Sequence, residues 1–129
     1  MRLLLDTHVF LWWITDDARL DPSARALLAS PKSTLFWSVA STWEVATKYA
    51  LGKLPLPVPP DELLPSQRQA NGVELLPIVE AHAYESARLP RHHADPFDRL
   101  LIAQARCDRL GLVTFDRVLD QYDVEIVRS

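Results

Sequence analysis

Cysteine is nearly absent from this sequence, since Cys107 is the single one among 129 residues. A lone cysteine excludes an internal disulfide and a zinc site built from several thiolates. It fits a reducing compartment best, so we expect a cytoplasmic protein.

An excess of positive charge is also absent, because the formal net charge is −3 and the isoelectric point is about 5.7. A nucleic-acid partner would therefore have to be bound by a local basic patch and not by bulk charge. A long hydrophobic run is missing as well: Asp6 and His8 interrupt the apolar start of the chain, MRLLLDTHVFLWWI. We expect a buried strand that enters a helix there, and neither a signal peptide nor a membrane span.

The composition is that of a folded globular protein, with 48% hydrophobic and 24% charged residues. A chain of this length can bury one core, so we expect a single domain over residues 1–129. Five of the ten prolines lie in LPLPVPPDELLP, residues 54–65. We interpret this stretch as a stiff extended connector within that domain.

Short apolar runs alternate with helical patterns along the chain. The runs that predict strands are 2–6, 34–38, 73–78, 112–115 and 124–127. The patterns that predict helices are 21–30, 41–52, 61–72 with an interruption near Pro65, 80–89, 96–110 with Gly111 as its stop, and 117–122. This alternation predicts a three-layer α/β/α fold around a central, mainly parallel five-stranded sheet.

Carboxylates stand at several of the predicted strand and helix junctions. Asp6 ends the first strand and Asp116 follows the fourth, while Glu44 lies in the helix after the second strand. Asp95 and Asp98 open the helix that precedes the fourth strand. Functional groups of open parallel sheets collect beyond the carboxyl ends of the strands, so we expect several of these acids to converge there.

Each acid can also be explained as part of a helix end. Asp95 precedes Pro96 and suits an N-cap, and Asp98 three residues later completes the pattern of a capping box. Ser41 and Glu44 form the same pattern. The two acids that follow strands could each cap the short helix after them.

Capping does not require several acids to meet at one edge of a sheet. Carboxylates brought together repel one another unless a cation holds them. Oxygen ligands without thiolates suit Mg²⁺ or Mn²⁺, and such ions support hydrolysis of phosphodiesters by an activated water.

Four segments in this order, LLLDTHVFLWW, SVASTWEVATKYALGKL, HHADPFDRLLIAQA and LVTFD, resemble PIN-domain proteins, specifically the VapC-type toxin ribonucleases of bacterial toxin–antitoxin pairs. The resemblance covers nearly the whole chain. It implies a three-layer α/β fold whose acidic cluster binds Mg²⁺ or Mn²⁺ and cleaves RNA. It also implies a homodimer that is inhibited by an antitoxin, whose C-terminal segment lies across the active-site groove.

The resemblance places the four catalytic acids of the family at Asp6, Glu44, Asp98 and Asp116. We expect Asp6, Asp98 and Asp116 to hold one divalent ion, with Glu44 and Asp95 contacting it through water or holding a second ion. Asp95 matches an additional aspartate of a DPFDR subgroup and could support the metal ligands. Thr7 and Thr114 could orient the acids by hydrogen bonds, although β-propensity explains Thr114 equally well.

Basic side chains near the acids are candidates for contacts with the RNA backbone: Lys48, Arg91, His92, His93 and Arg99. A solvated surface explains this cluster equally well, and a surface ion pair with Glu44 explains Lys48. The histidines form no His-x₃-His helical pair and have no cysteine partner, so we do not expect a transition-metal site built on them.

Other functions are compatible with parts of the pattern. The main alternative is a non-catalytic RNA-binding or regulatory module on the same fold, against which the four intact acids argue. A phosphatase of the haloacid-dehalogenase type would need an aspartate where His8 stands. A response-regulator receiver would need a lysine at the end of a late strand, and LVTFD has none.

Overall fold

The computed structural model describes residues 1–129 and contains one five-stranded sheet. Its strands are β1 (Arg2–Leu5), β2 (Thr34–Ser38), β3 (Glu74–Leu76), β4 (Gly111–Val113) and β5 (Ile126–Val127). The strand order is β3-β2-β1-β4-β5, and every neighbouring pair is parallel. The prediction of a mainly parallel sheet is confirmed, and the sheet is in fact parallel throughout.

Six α-helices connect the strands: α1 (Thr7–Ile14), α2 (Pro22–Ala29), α3 (Val39–Ala50), α4 (Pro60–Asn71), α5 (Glu80–Arg88) and α6 (Pro96–Asp108). A short 3₁₀ helix, Arg117–Gln121, joins β4 to β5. None of these helices combines the length and the apolar character needed to cross a bilayer.

The strands are continuous apolar runs because both faces of the sheet are covered by helices. Leu3 and Leu5 point into a core of 15 buried residues that α1 and α2 help to form. Leu4, between them, points into the opposite core of 11 buried residues, to which α6 contributes Leu101 and Ile102. The predicted three-layer α/β/α fold is therefore confirmed.

The strand order places a crevice between β1 and β4. From β1 the chain moves outward through β2 to β3, and it then returns to add β4 and β5 on the other side of β1. The connections on the two sides leave in opposite directions, which opens a crevice beyond the carboxyl ends of the two central strands. Asp6 directly follows β1 and Asp116 lies three residues after β4, so both acids border this crevice.

The start of α3 differs from the prediction. The helix begins at Val39, directly after β2, and its N-cap is Ser38, whose hydroxyl accepts a hydrogen bond from the Ala40 N–H at 2.9 Å. Because the helix begins at Val39, Ser41 and Glu44 lie inside it and do not form a capping box at its start. The carboxylate of Glu44 is therefore available for other contacts.

Two further expectations about helix ends are wrong. Pro65 lies within α4 without ending it, so the helix tolerates the loss of one backbone hydrogen bond. α6 ends at the left-handed Arg109, and Gly111 belongs to β4. A Cβ atom on Gly111 would lie 2.9 Å from Val127 Cγ2, so this glycine permits the close approach of β5.

Candidate active site

Asp6 is a buried carboxylate that makes no capping hydrogen bond, although it occupies the N-cap position of α1. The Thr114 hydroxyl donates to its Oδ2 atom at 2.8 Å. Burial raises the pKa of Asp6, and the nearby charge of Glu44 raises it further, against the lowering effect of the Thr114 hydrogen bond. The expectation that Asp6 caps a helix is wrong, and its carboxylate is free to bind another group.

Glu44 is 3% exposed and is held at both carboxylate oxygens. The Thr7 hydroxyl lies 2.7 Å from Oε1, and Lys48 Nζ lies 2.5 Å from Oε2. The Ser41 hydroxyl lies 2.8 Å from that of Thr7, which extends the network into α3. The hydrogen bond to Glu44 raises the pKa of Lys48, to which the charges of Asp95 and Asp98 also contribute.

Asp98 lies in the first turn of α6 and is partly buried. Burial raises its pKa to about 7, and the charges of Asp6, Asp95 and Glu44 act in the same direction. His93 Nε2 lies 2.8 Å from Asp98 Oδ2 and has the opposite effect on this pKa. Asp98 is therefore an acid whose charge the surrounding protein disfavours.

Asp116 borders the same crevice and is more exposed than the other acids. Its Oδ1 accepts a hydrogen bond from the Val118 N–H at 3.0 Å, so it caps the 3₁₀ helix as expected. Its own N–H donates to the Thr114 hydroxyl at 3.1 Å, and that hydroxyl donates to Asp6. Thr114 thus connects the two acids that follow β1 and β4.

Asp95 makes the capping contact that its position predicts. Its Oδ1 accepts a hydrogen bond from the Phe97 N–H at 2.9 Å. Its charge also raises the pKa of Asp98, which places it near the acidic cluster.

The structure contradicts the expectation that Arg99 binds RNA. Arg99 is 7% exposed, and its guanidinium donates to the backbone carbonyls of Ser86 at 2.8 Å, Leu89 at 3.1 Å and Pro90 at 2.8 Å. A buried guanidinium engaged by several carbonyls cannot reach a nucleic-acid backbone. Arg99 instead holds the segment between α5 and α6 in place.

The remaining basic candidates differ in their surroundings. Arg91 and His92 are exposed, and the His92 ring packs edge-on against Tyr122 at 5.1 Å between centroids. His93 is partly buried and points into the acidic cluster, where its Nε2 also lies 3.8 Å from Asp116 Oδ2. One ligand atom each from His93, Asp98 and Asp116 lies within 4.8 Å of the other two.

The position of His93 beside Asp98 and Asp116 could not be predicted from helical spacing. The residue precedes α6 and reaches the acids through the conformation of a loop. The only signal in the sequence was the closeness of HH to DPFD.

A groove, defined by two adjoining cavities, leads away from the acids. The first has a volume of about 310 Å³ and is lined by Asp6, His8, Val9, Trp12, Arg19, Phe115 and Asp116. The second, of about 360 Å³, shares His8, Trp12 and Arg19 and extends to Leu54, Pro55 and Leu56. The Arg19 guanidinium lies over the Trp12 ring, 5.0 Å from its centroid. The groove therefore has acids at one end and the apolar Leu54–Leu56 at the other, and its second cavity also contains Asp17, which pairs with Arg19.

The donor set of this site fits a divalent cation. Asp6 and Asp98 are carboxylates with raised pKa values. Burial and the charges of neighbouring acids disfavour the ionised form of each. A bound Mg²⁺ or Mn²⁺ would offset that repulsion, and both ions prefer oxygen ligands.

Comparison with known proteins finds similar sequences in one protein family. A family model described as PIN domain matches residues 3–125. The ribonuclease VapC16 of Mycobacterium tuberculosis is 36% identical over 58 residues, which are 45% of this chain and 41% of that protein. The chain thus covers less than half the length of this curated relative.

Solved structures of toxin–antitoxin complexes have the same fold. VapBC2 from Rickettsia felis, bound to a DNA fragment from its promoter, gives a TM-score of 0.68 at 16% identity over 98% of this chain and 96% of that one. A toxin–antitoxin complex from Klebsiella pneumoniae gives 0.63 at 17% identity over 98% of both chains. VapBC-5 from Mycobacterium tuberculosis gives 0.60 at 23% identity over 99% of this chain and 98% of that one.

Proposed function

The chain belongs to the PIN domain family, and on this premise we propose that it is a metal-dependent endoribonuclease, the toxin of a toxin–antitoxin pair. The main support is the set of acids at the crevice between β1 and β4. The charges of Asp6 and Glu44 act on Asp98, and ligand atoms of Asp98 and Asp116 lie within 4.8 Å of each other, together with His93. A relative named as a ribonuclease and the toxin–antitoxin complexes of similar fold support the same activity. The lone cysteine fits a cytoplasmic location.

Asp6, Asp98 and Asp116 would hold one Mg²⁺ or Mn²⁺ ion. When bound, the ion would lower the pKa of a water molecule and offset negative charge on the oxygens of the phosphodiester. Thr114 fixes Asp6 by its hydrogen bond and receives the N–H of Asp116, so it sets the relative position of two of these ligands. By resemblance to the family, the products would have 5′-phosphate and 3′-hydroxyl ends.

Glu44 would orient the attacking water. Thr7 and Lys48 hold its two oxygens, yet each carboxylate oxygen has a second lone pair that can accept a hydrogen bond from water. Lys48, Arg91 and His92 would contact the RNA backbone. Lys48 is partly exposed beside Glu44, and Arg91 and His92 are exposed in the loop before α6.

The antitoxin would occupy the groove between the acids and Leu54–Leu56. A segment with an apolar part and a basic end would match a groove that is apolar at one end and acidic at the other. We also propose that the chain forms a homodimer, as the family resemblance implies.

The test compares two aspartates that both occupy N-cap positions. Asp6→Asn removes a charge but no capping hydrogen bond, whereas Asp21 accepts one from the Ala24 N–H. We expect Asp6→Asn to abolish cleavage of a panel of structured and unstructured RNAs in the presence of Mn²⁺, and Asp21→Asn to retain it.

A wild-type chain that binds RNA and Mn²⁺ without cleaving any RNA of the panel would favour the non-catalytic RNA-binding alternative. Full cleavage by a folded Asp6→Asn variant would contradict the role of the acids.

A further inference from the structure

We propose that His93 is a further ligand of the divalent ion, through Nε2, beside Asp98 and Asp116. The inference rests on the proposed function, because the ion is the one that the acids would bind. It changes the expected ligand set from oxygen alone to oxygen with one imidazole nitrogen.

The distances match the spacing of ligands around a single ion. His93 Nε2 lies 2.8 Å from Asp98 Oδ2 and 3.8 Å from Asp116 Oδ2. Ligands bind Mg²⁺ at ~2.0–2.1 Å, so two ligands of an octahedral ion lie about 3 Å apart at right angles and about 4 Å apart when opposite. Both observed distances fall close to this range, and ligand atoms of Asp98 and Asp116 lie within 4.8 Å of each other. One ion can therefore reach all three residues once their side chains move toward it.

The loop that contains His93 is held in place from two sides. The His93 N–H donates to the Tyr122 hydroxyl at 2.8 Å, and Arg99 donates to the carbonyl of Pro90 in the same loop. Tyr122 and Arg99 are both buried. The backbone of His93 is thus held by buried groups, and the contact of Nε2 with Asp98 places the imidazole at the acids before any ion binds.

His92, the preceding residue, is also a histidine but does not lie beside Asp98 and Asp116. Its ring is exposed and packs against Tyr122, and it is not among the atoms that converge on Asp98 and Asp116. His92 is therefore a matched control.

The competing explanation is that His93 is a cation that pairs with the two aspartates only while no metal is bound. A divalent ion would then repel the imidazolium and displace it. The two explanations differ in whether nitrogen lies next to the bound metal. They also differ in metal preference, because an imidazole ligand suits transition metals better than Mg²⁺.

The experiment uses the purified full chain with Mn²⁺ and no antitoxin. Pulsed electron paramagnetic resonance detects ¹⁴N coupled to bound Mn²⁺, and titration calorimetry measures the affinities for Mn²⁺ and Mg²⁺. We expect a ¹⁴N signal in the wild type and in His92→Gln, and none in His93→Gln. We also expect His93→Gln to weaken Mn²⁺ binding about tenfold, equivalent to ~1.4 kcal/mol, and Mg²⁺ binding less.

The wild-type spectrum can overturn the inference even if His93→Gln fails to fold. Bound Mn²⁺ without a ¹⁴N signal, or a signal that persists in folded His93→Gln, would overturn the inference. RNA cleavage without a ¹⁴N signal would leave the proposed function standing, whereas a ¹⁴N signal without cleavage would support the ligand and count against the function. A wild type that binds no Mn²⁺ would overturn both.

Discussion

Two helices of this chain begin with the same Asp-Pro pair, yet their first turns have different surroundings. In α2, Asp21 accepts a hydrogen bond from the Ala24 N–H at 2.8 Å, and in α6, Asp95 accepts one from the Phe97 N–H at 2.9 Å. Proline occupies the first helical position in both. Capping therefore explains the first aspartate of each helix in the same way.

The two helices differ at their third residue. It is Ala24 in α2 and Asp98 in α6. The N-terminus of a helix presents free N–H groups and favours an anion, which alone would lower the pKa of Asp98. The pKa is instead raised to about 7, mainly by burial and also by neighbouring acids. Burial and repulsion outweigh the helix dipole, so ionised Asp98 destabilises the folded protein, as expected of a functional residue.

The largest effect should come from replacing Asp98. We expect Asp98→Asn to lower the rate of RNA cleavage with Mn²⁺ about a thousandfold, equivalent to ~4 kcal/mol, because it removes the charge of a proposed metal ligand. Asp95→Asn, in the same turn, should lower it far less, since Asp95 mainly caps the helix. Equal losses of cleavage rate in the two variants would contradict the assignment of metal binding to Asp98 and of capping to Asp95.

Binding of a divalent ion should stabilise the wild type and not Asp98→Asn. At a free concentration of about 100 times Kd, a ligand of the folded state adds ~2.7 kcal/mol to the free energy of unfolding. We expect this gain when Mn²⁺ is added to the wild type at pH 8, measured by urea denaturation. Asp21→Asn should show the full gain, and an equal gain in Asp98→Asn would exclude Asp98 as a ligand.

The stability of the metal-free protein should fall as pH rises from about 4 to about 7. The folded-state pKa of Asp98 is raised from 3.8 to about 7, so within this window the folded chain binds more protons than the unfolded chain. Asp98→Asn cannot ionise, and we expect it to be more stable than the wild type by roughly 1–3 kcal/mol at pH 8. The difference should vanish near pH 4. Parallel stability curves for the two proteins would contradict the raised pKa.

The order of elements and the acids could be predicted because they depend on local patterns. Strands buried on both faces are continuous apolar runs, and β2 was predicted at its observed bounds. Asp6 and Asp116 follow β1 and β4, which the strand order makes neighbours at the crevice. The convergence of these acids follows from the parallel topology, for which the alternation of strands and helices is the signal.

The surroundings of the basic residues could not be predicted in the same way. Arg99 belongs to a basic cluster in sequence, but its partners are carbonyls of the preceding loop that become available only when α5 and α6 pack together. His93 reaches Asp98 because Tyr122, 29 positions later, receives its N–H. Both placements depend on contacts between distant segments, which no local spacing reveals.

The smallest effect should distinguish the two caps themselves. Asp21→Ala should cost ~1 kcal/mol of stability at any pH above about 5, because it removes a capping hydrogen bond and little else. Asp95→Ala removes a similar bond but also a charge that disfavours ionised Asp98, so the two effects partly cancel. We therefore expect Asp95→Ala to cost a few tenths of a kcal/mol less than Asp21→Ala in metal-free protein at pH 8. At pH 5, where Asp98 is protonated, the two losses should become equal. Urea denaturation at both pH values measures the difference, and a gap that does not change with pH would mean that Asp95 acts as a cap alone.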